Sequence, residues 1–242
     1  MVFPKMEVFS RQAFFSSIST HKKRFSDFSH YKCYRNLLDT FDSSKANLTF
    51  FFDAAKGPVS EHFLKEESIH RIIQVQEGTE AGAFLQLLEY VCALDIAPET
   101  VLYFVEDDYL HRPGWIDVLS EAFELPEVDY ATLYDHRDKY FMYPKLRSRI
   151  FVTSSCHWRT TPSTTNTFAV RLQTLREDLT IHQKYSKGRK ISDDHKKFVH
   201  LYNLGRVLVS SIPGWSTHAE PEFSSPCIAW DNFLTSRSSY VS

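Results

Sequence analysis

VLYFVEDDYLHRPGW, residues 101–115, is the stretch that decides the fold class of this chain. Its first five residues are apolar, and a short continuous apolar run predicts a buried strand. Three acids, Glu106, Asp107 and Asp108, follow directly. Acids at the carboxyl end of such a strand lie where open α/β sheets bind ligands, and their oxygens suit Mg²⁺ or Mn²⁺ carrying a substrate's phosphates. The alternative is a solvated acidic turn ahead of the Pro113-Gly114 turn signal.

Strands and helices alternate on both sides of this stretch. The β-prone runs predict strands over 47–53, 69–75, 101–105 and 129–133. Apolar residues at helical spacing predict a helix over 78–94, and Pro113 suits the first turn of a second helix over 113–123. This alternation predicts an α/β fold with a mainly parallel central sheet and helices on both faces.

The second half of the sequence is less regular. The Ser- and Thr-rich segment 154–167 reads as a long functional loop. After it we predict a strand over 166–170, helices over 172–185 and 192–204, and a last strand over 207–212. Ser192 is the expected N-cap of the second helix, and Gly205 lies just beyond its end. The tail, 213–242, reads as ordered loop. No interdomain linker is evident, so we expect a single domain over 1–242.

Composition excludes several classes of protein. The chain has 242 residues, of which 43% are hydrophobic, so a large core is expected rather than disorder. The net charge of −2 argues against nucleic acid as a partner. No apolar run is long enough for a transmembrane segment, and no signal peptide is evident. Four scattered cysteines read as reduced core thiols, so we expect a cytoplasmic protein. With 7 glycines and no glycine-rich phosphate loop, simple Rossmann and P-loop folds are excluded.

The order of the motifs resembles that of a GT-A fold glycosyltransferase, an inverting enzyme of the glycosyltransferase-2-like kind that uses a nucleotide-diphospho-sugar. An acid ends an early strand (FFD), and a Gly-led helix (EGTEAGAFLQLLEYV) precedes the strand with the acidic triplet, E-D-D here where the family carries D-x-D. A loop with Trp and Thr (HWRTTPSTTNTF), an acidic pair opening a helix (ISDDHKK) and a late His (GWSTHAE) follow. The resemblance implies a nucleotide-binding half over about 1–110 and an acceptor-binding half over about 111–242.

The resemblance also implies roles for individual residues. Asp108 would ligate a Mn²⁺ or Mg²⁺ ion that bridges the two phosphates, with His218 as a second ligand. Asp194, with Asp193 as its rival, would be the general base that an inverting transfer needs. The remaining residues implied at the nucleotide and the sugar are Asp53 at the base, Arg11 nearby, and Glu106 with Asp107 at the ribose or sugar. We expect the start of the helix to lower the pKa of Asp194 and keep it ionised.

Each of these residues also has an ordinary structural interpretation. Asp193 and Asp194 could simply be first-turn acids of a helix, His218 could cap a loop, and Asp53 could end a strand. Trp158 and Trp215 could be core aromatics, although their polar context, with Arg159 beside Trp158, favours stacking on a sugar. The basic set Lys184, Lys187, Arg189 and Lys190 could be a solvated turn or could bind a diphosphate or an anionic acceptor.

Three functions remain open from the sequence. The first is metal-dependent transfer of a sugar from a UDP- or GDP-linked donor to a glycan or other hydroxyl acceptor, with the inversion that the resemblance implies. The second is a sugar nucleotidyltransferase, which shares the sheet plan but usually opens with a glycine-rich loop. The third is a non-catalytic carbohydrate- or protein-binding domain of the same fold.

Overall fold

A computed structural model describes residues 4–14, 22–143 and 145–235. Its strands are β1 (Met6–Ala13), β2 (Ala46–Asp53), β3 (Arg71–Val75), β4 (Val101–Val105), β5 (Tyr109–His111), β6 (Tyr130–Thr132), β7 (Ile150–Val152), β8 (His157–Thr160), β9 (Phe168–Arg171), β10 (Leu208–Ile212) and β11 (Ser216–His218). Its helices are α1 (His30–Thr40), α2 (Glu80–Cys92), α3 (Trp115–Ala122), α4 (Asp138–Phe141), α5 (Leu172–Ser186), α6 (Asp194–Asn203) and α7 (Asn232–Thr235). Three 3₁₀ turns, Ala54–Lys56, Val59–Glu61 and Phe63–Glu66, connect β2 to β3.

One large mixed sheet forms the centre of the molecule. Its strand order is β3-β2-β1-β4-β9-β6-β10-β8-β7. The strands β3, β2, β1 and β4 are mutually parallel, and β6 and β10 are parallel to each other. β9 runs antiparallel to both β4 and β6, and β8 runs antiparallel to its neighbours β10 and β7. The predicted α/β class with a mostly parallel central sheet is therefore confirmed.

Both faces of the sheet are covered, as predicted. Alternate residues of β2 point to opposite faces, so Phe50 and Phe52 join one hydrophobic core and Phe51 joins the other. The first core includes side chains of α1 and α3, and the second includes side chains of α2, α5 and α6. This two-sided burial explains why the central strands read as continuous apolar runs.

The register of the parallel strands brings the polar candidates to one edge. Ala13, at the end of β1, pairs with Asp53 at the end of β2, and Ser10 pairs with Val105 at the end of β4. The acidic triplet after β4 therefore lies beside the end of β1. A separate two-stranded ribbon of β5 and β11 pairs His218 with Tyr109, the residue after the triplet.

Several expected boundaries differ from the structure. The side chain of Asp193, and not that of Ser192, caps α6 by accepting the backbone N–H of Lys196. The helix expected over 113–123 begins after Gly114, which has a φ of 85°. The long loop over 154–167 contains β8, and the tail expected to be loop contains β11 and α7. These pieces are three or four residues long, too short for hydrophobic periodicity to reveal them.

Two further observations concern the absence of long apolar helices among the described residues and the state of the cysteines. No helix in the described part of the chain has both the length and the apolar character to cross a membrane. All four cysteines are free thiols. Cys33 and Cys156 are buried as expected, but Cys227 is exposed, so the prediction that all four lie in the core was wrong for that residue.

Candidate functional site

A cavity of about 670 Å³ opens at the carboxyl edge of the sheet. Its volume is in the range of small-molecule and cofactor sites. Seven of the sequence-predicted site residues line it: Arg11, Asp53, Glu106, Asp107, Asp108, Asp194 and His218. These residues come from the ends of β1, β2, β4 and β11 and from the start of α6. The cavity has two electrostatically different ends, which we describe as the inner and the outer cluster.

The inner cluster consists of Arg11, Glu80, Glu106, Asp194 and Lys197. Arg11 reaches from β1 to both Glu80 (Nη1–Oε1, 2.6 Å) and Glu106 (Nη2–Oε1, 3.0 Å). Burial alone would raise the pKa of Glu80, but Arg11 and the hydrogen bonds that Glu80 accepts lower it to about 2. Glu80 therefore stays ionised and holds Arg11 in place.

Glu80 also ties distant parts of the chain together. Its Oε2 accepts the backbone N–H of Ser192 at 2.8 Å, and its Oε1 accepts the side-chain amide of Asn166 at 2.9 Å. The amide oxygen of Asn166 in turn accepts a hydrogen bond from Lys197. Glu80 thus fixes the chain just before α6, and with it the position of Asp194.

Asp194 is the aspartate of the inner cluster, and it lines the cavity. Its Oδ1 accepts no hydrogen bond from the described residues, and Lys197 Nζ lies 3.5 Å away. Burial is the main cause that raises the pKa of Asp194 to about 7; Glu80 and Glu106 add to the rise, and Lys197 opposes it. The expectation that the start of the helix would lower this pKa was wrong, because desolvation beside two carboxylates outweighs the partial charge of a helix terminus.

Lys197 is held in an unusual environment for a lysine. Its side chain is fully buried, and its Nζ lies 4.6 Å from the ring centroid of Phe84 and 5.1 Å from that of Phe198. Burial lowers its pKa, and Asp194 counteracts this. The aromatic rings and Asn166 therefore hold a cation in a fixed position next to the Asp194 carboxylate.

The outer cluster consists of Asp108, His218, Glu220, Lys22 and Arg24. Asp108 Oδ2 lies 2.8 Å from both His218 Nε2 and Arg24 Nη2. Glu220 Oε1 lies 3.0 Å from His218 Nδ1 and 2.8 Å from Lys22 Nζ. The ribbon of β5 and β11 explains the meeting of these residues, since it carries His218 back to the acidic triplet.

The pKa values of the outer cluster follow from its charges. Burial would raise the pKa of Asp108, but His218, Arg24 and Lys22 hold it well below its usual range. Burial would lower the pKa of His218, but Asp108 and Glu220 raise it to about 9. Asp108 is therefore a permanent carboxylate, in contrast to Asp194.

The donor chemistry of the outer cluster fits a divalent ion that is shared with a ligand. Asp108 and His218 are ligand types that Mn²⁺ accepts, but they are bound to each other at 2.8 Å, so His218 would release the proton of this ion pair when an ion binds. Glu220 holds the other nitrogen of His218, which is the usual arrangement behind a metal-binding histidine. The described residues offer no group of three or more His, Cys, Asp or Glu side chains placed for an ion. The protein would thus supply two ligands, and phosphate oxygens and water the rest.

Asp53 and Asp107 line the cavity but already have partners. Asp53 accepts backbone N–H groups from Ala55 (3.1 Å), Glu77 (3.1 Å) and Gly78 (2.7 Å), so it holds together the loops beside the cavity. Asp107 Oδ1 lies 3.5 Å from His30 Nδ1. Contact of either acid with a nucleotide stays a prediction.

The three residues expected to bind substrate through rings or a guanidinium lie elsewhere. Trp158 is fully buried in the hydrophobic core and donates its indole N–H to Thr153. Arg159 is paired with Asp135 at 2.6 Å, and Trp215 packs against Arg112, whose Cζ lies 4.0 Å from its ring. None of the three is among the residues that line the cavity, so their structural interpretation is the better one.

Asp193 likewise takes the structural role that the sequence left open. Its carboxylate caps α6 and lies 2.9 Å from Lys196 Nζ, and it does not line the cavity. Hydrogen bonding to Lys196 lowers its pKa. Of the acidic pair, only Asp194 faces the site.

Sequence reasoning missed several residues of the site. Glu80 and Glu220 stand in the quoted motifs EGTEAG and STHAE, and Lys197 in SDDHKK, yet their charges read as ordinary helix and loop residues. Lys22 and Arg24 lie in the basic sequence KKR, residues 22–24, between β1 and α1. The clue that could have indicated Glu80 is its place in the first turn of the helix that follows β3, because helices that follow parallel strands begin at the carboxyl edge of the sheet.

Comparisons with known proteins show the fold and leave the activity open. No family model matches the sequence, and no curated protein matches it. Among solved structures, the chain is similar to CMP:2-keto-3-deoxy-manno-octonic acid synthetase complexed with CTP, with a TM-score of 0.53 and 15% identity over 90% of this chain and 95% of that one. The chain thus shares the mixed α/β fold of that structure.

Proposed function

We propose that this protein transfers a sugar from a nucleoside-diphosphate sugar, UDP- or GDP-linked, to a hydroxyl group of a glycan or other acceptor. The observation that carries the proposal is Asp194. It lines the cavity, its Oδ1 accepts no hydrogen bond from the described residues, and its pKa is raised to about 7. A carboxylate with a pKa near the working pH is suited to act as a general base.

The chemistry assigns different tasks to the two ends of the cavity. At the inner end, Asp194 accepts the proton of the acceptor hydroxyl as that oxygen attacks the anomeric carbon. The bond between that carbon and the diphosphate breaks, and the diphosphate leaves with the electron pair. Attack from the side opposite the leaving group inverts the anomeric centre, which is why the proposal includes inversion.

The outer end of the cavity neutralises the negative charge of the leaving diphosphate. When bound there by Asp108 and His218, Mn²⁺ or Mg²⁺ would supply Lewis-acid neutralisation of the phosphates. Lys22 and Arg24 bring two further positive charges to the same end. Arg11 is already committed to Glu80 and Glu106, so we assign it to positioning those carboxylates.

A second candidate function is sugar nucleotidyl transfer. The structural likeness to a CMP-sugar synthetase favours it more than it favours glycosyl transfer. In that reaction a sugar oxygen attacks a nucleoside triphosphate and pyrophosphate leaves, so the basic residues Lys22 and Arg24 would face a triphosphate. A base that lines the cavity, such as Asp194, could serve this chemistry as well, and the distinction needs an experiment.

The test follows the leaving group. The full chain is first screened by thermal shift against nucleotides and nucleotide sugars with and without Mn²⁺, because a ligand that binds the folded state raises its stability. The stabilising ligands are then incubated with acceptor sugars. Release of nucleoside diphosphate with transfer of the sugar would support glycosyl transfer, and release of pyrophosphate from a triphosphate would overturn it in favour of the second function. Metal-dependent binding without either product would indicate a non-catalytic domain.

A further inference from the structure

Five large apolar side chains are exposed on one part of the surface. Tyr140, Phe141 and Met142 are 51%, 53% and 62% exposed, and Ile150 and Val152 are 56% and 66% exposed. We call these five residues the apolar patch. Scattered apolar side chains are ordinary on a protein surface, but a contiguous group indicates an interaction site.

Contacts around Arg159 show that the patch is contiguous. The Arg159 guanidinium lies 4.9 Å from the ring centroid of Tyr140. Arg159 on β8 pairs with Ile150 on β7, and side chains of paired residues share one face of a sheet. Val152, two residues further along, lies on that same face. The end of α4 and the edge strand β7 therefore present their apolar side chains side by side.

The patch also borders the mouth of the cavity. The ring of Phe141 stacks on that of Phe223, which lines the cavity, with centroids 6.5 Å apart and 29° between the planes. Next to the patch, the hydroxyl of Tyr143 lies 3.1 Å from Nδ1 of His195, the neighbour of Asp194 in sequence. Whatever covers the patch thus comes close to the Asp194 side of the cavity.

The charges around the patch have one dominant sign. Between positions 137 and 149, Arg137, Lys145 and Arg147 are exposed cations, and the exposed Arg149 is paired with Glu127. Asp138 is the single acid in that stretch, and it lies 2.8 Å from Lys139 Nζ and 2.7 Å from His136 Nδ1. This basic surface stands out on a chain whose net charge is −2.

We propose that the apolar patch and its basic surroundings dock on the surface of an anionic lipid bilayer. Aromatic and aliphatic side chains insert at the boundary between headgroups and acyl chains, and the surrounding cations attract anionic lipids. A second copy of this chain fits less well, because two basic rims brought face to face repel each other. Docking in this orientation places the mouth of the cavity beside the membrane, where an acceptor attached to a lipid would be within reach.

Co-sedimentation of the full chain with vesicles tests the proposal. With equal parts of phosphatidylglycerol and phosphatidylcholine we expect binding that weakens as salt is added, and with phosphatidylcholine alone we expect little. Phe141→Ser combined with Met142→Ser should lower partitioning about tenfold or more. Lys145→Glu combined with Arg147→Glu should do the same about as strongly. Because the charge variant leaves every apolar contact in place, it carries the test if the first variant fails to fold.

The matched control alters exposed apolar residues of another surface. Tyr202→Ser combined with Leu204→Ser, at 56% and 62% exposure near the end of α6, should leave vesicle binding unchanged. Absence of vesicle binding by the unaltered chain, or an equal loss in the control, would overturn the proposal. So would a dimer that the Phe141 variant dissociates while vesicle binding persists, since the patch would then join two copies. Vesicle binding needs no turnover, so this result is independent of the catalytic test.

Discussion

The inner and outer clusters of the cavity contain the same kinds of side chain, but they shift the pKa of their aspartates in opposite directions. At the outer end, Asp108 is close to His218 and Arg24, and its pKa is held well below its usual range. At the inner end, Asp194 is buried beside Glu80 and Glu106, and its pKa is raised to about 7. Three cations and one carboxylate of the outer cluster surround the first aspartate, whereas two cations and two carboxylates surround the second, where burial decides the direction.

The two environments suit the two aspartates to different tasks. A carboxylate that never takes up a proton near neutral pH is a good partner for cations and a poor base. A carboxylate that titrates near neutral pH can take a proton and release it again. Two titratable groups whose environments push their pKa values apart are a recognised pattern of acid–base sites. The following predictions are ordered by the size of the effect that we expect.

The largest effect should come from Asp194→Asn. Loss of a general base costs about 10²–10⁴ in rate, so we expect kcat to fall by that factor while the nucleotide sugar still binds. Turnover and thermal shift with the donor measure the two properties separately. Asp193→Asn is the matched control and should change kcat little. Equal turnover by the Asp194 variant and the unaltered protein would show that the inner aspartate is not the base.

Asp108→Asn should remove the contribution of metal to nucleotide binding. Loss of a residue that only hydrogen-bonds to a metal ligand typically lowers metal affinity about 10–100-fold. Loss of a ligand itself should lower metal affinity at least as much. We expect the Mn²⁺-dependent part of the thermal shift with UDP or GDP to vanish. Asp117→Asn, at an exposed position of α3, controls for the loss of one negative charge. A Mn²⁺ response that survives in the Asp108 variant would show that the metal does not bind at the outer cluster.

The pH dependence of turnover should report the inner aspartate. The general base must be ionised, and its pKa is raised to about 7, so the rate should be low in acid and level off above neutral pH. Below pH 7 we expect a fall of about tenfold per pH unit, as for a single essential ionisation. A rate that stays constant between pH 5 and pH 7, a range of about two pH units on the acid side of the plateau, would contradict a base with this pKa.

Lys197→Met should produce the smallest change and the most specific one. Methionine keeps much of the bulk between the aromatic rings but removes the cation that opposes the raised pKa of Asp194. The pH profile should move to higher pH, and turnover at neutral pH should fall about tenfold. The control is Lys196→Met, where the lysine is 69% exposed and pairs with Asp193. An unmoved profile in the Lys197 variant would mean that this lysine serves packing alone.

The comparison of the two clusters also shows what the sequence could and could not predict. Strand β4 was predicted from a continuous run of five apolar residues, and helix α2 from apolar residues at helical spacing. The parallel register then carries Asp53 and Glu106 to one edge without further information. The fold class and the place of the site follow from these elements.

The features of the fold and the site that were not predicted depended mainly on contacts between residues far apart in sequence. Helix α1 was not predicted, although Cys33, Tyr34, Leu37 and Leu38 follow helical spacing behind the N-cap Ser29. The pairing of β5 with β11, which brings His218 to Asp108, has no such local signal. The pKa of Asp194 was predicted to be lowered, whereas the structure raises it. The start of a helix is visible in the sequence, but burial beside Glu80 is not. Trp158 looked available to a sugar because of its polar neighbours, yet its ring points into the core.

The hydrogen bond between Glu80 and the backbone of Ser192 has a consequence for the order in which the protein is assembled. It joins residues 112 positions apart, and closing so long a loop costs conformational entropy before the contact can contribute. During synthesis, β1, β2, β4 and α2 leave the ribosome long before α6 exists. The nascent chain can therefore build much of its sheet while the inner end of the cavity is still missing. Catalytic competence would then arrive as one of the last events of folding, when α6 docks on Glu80.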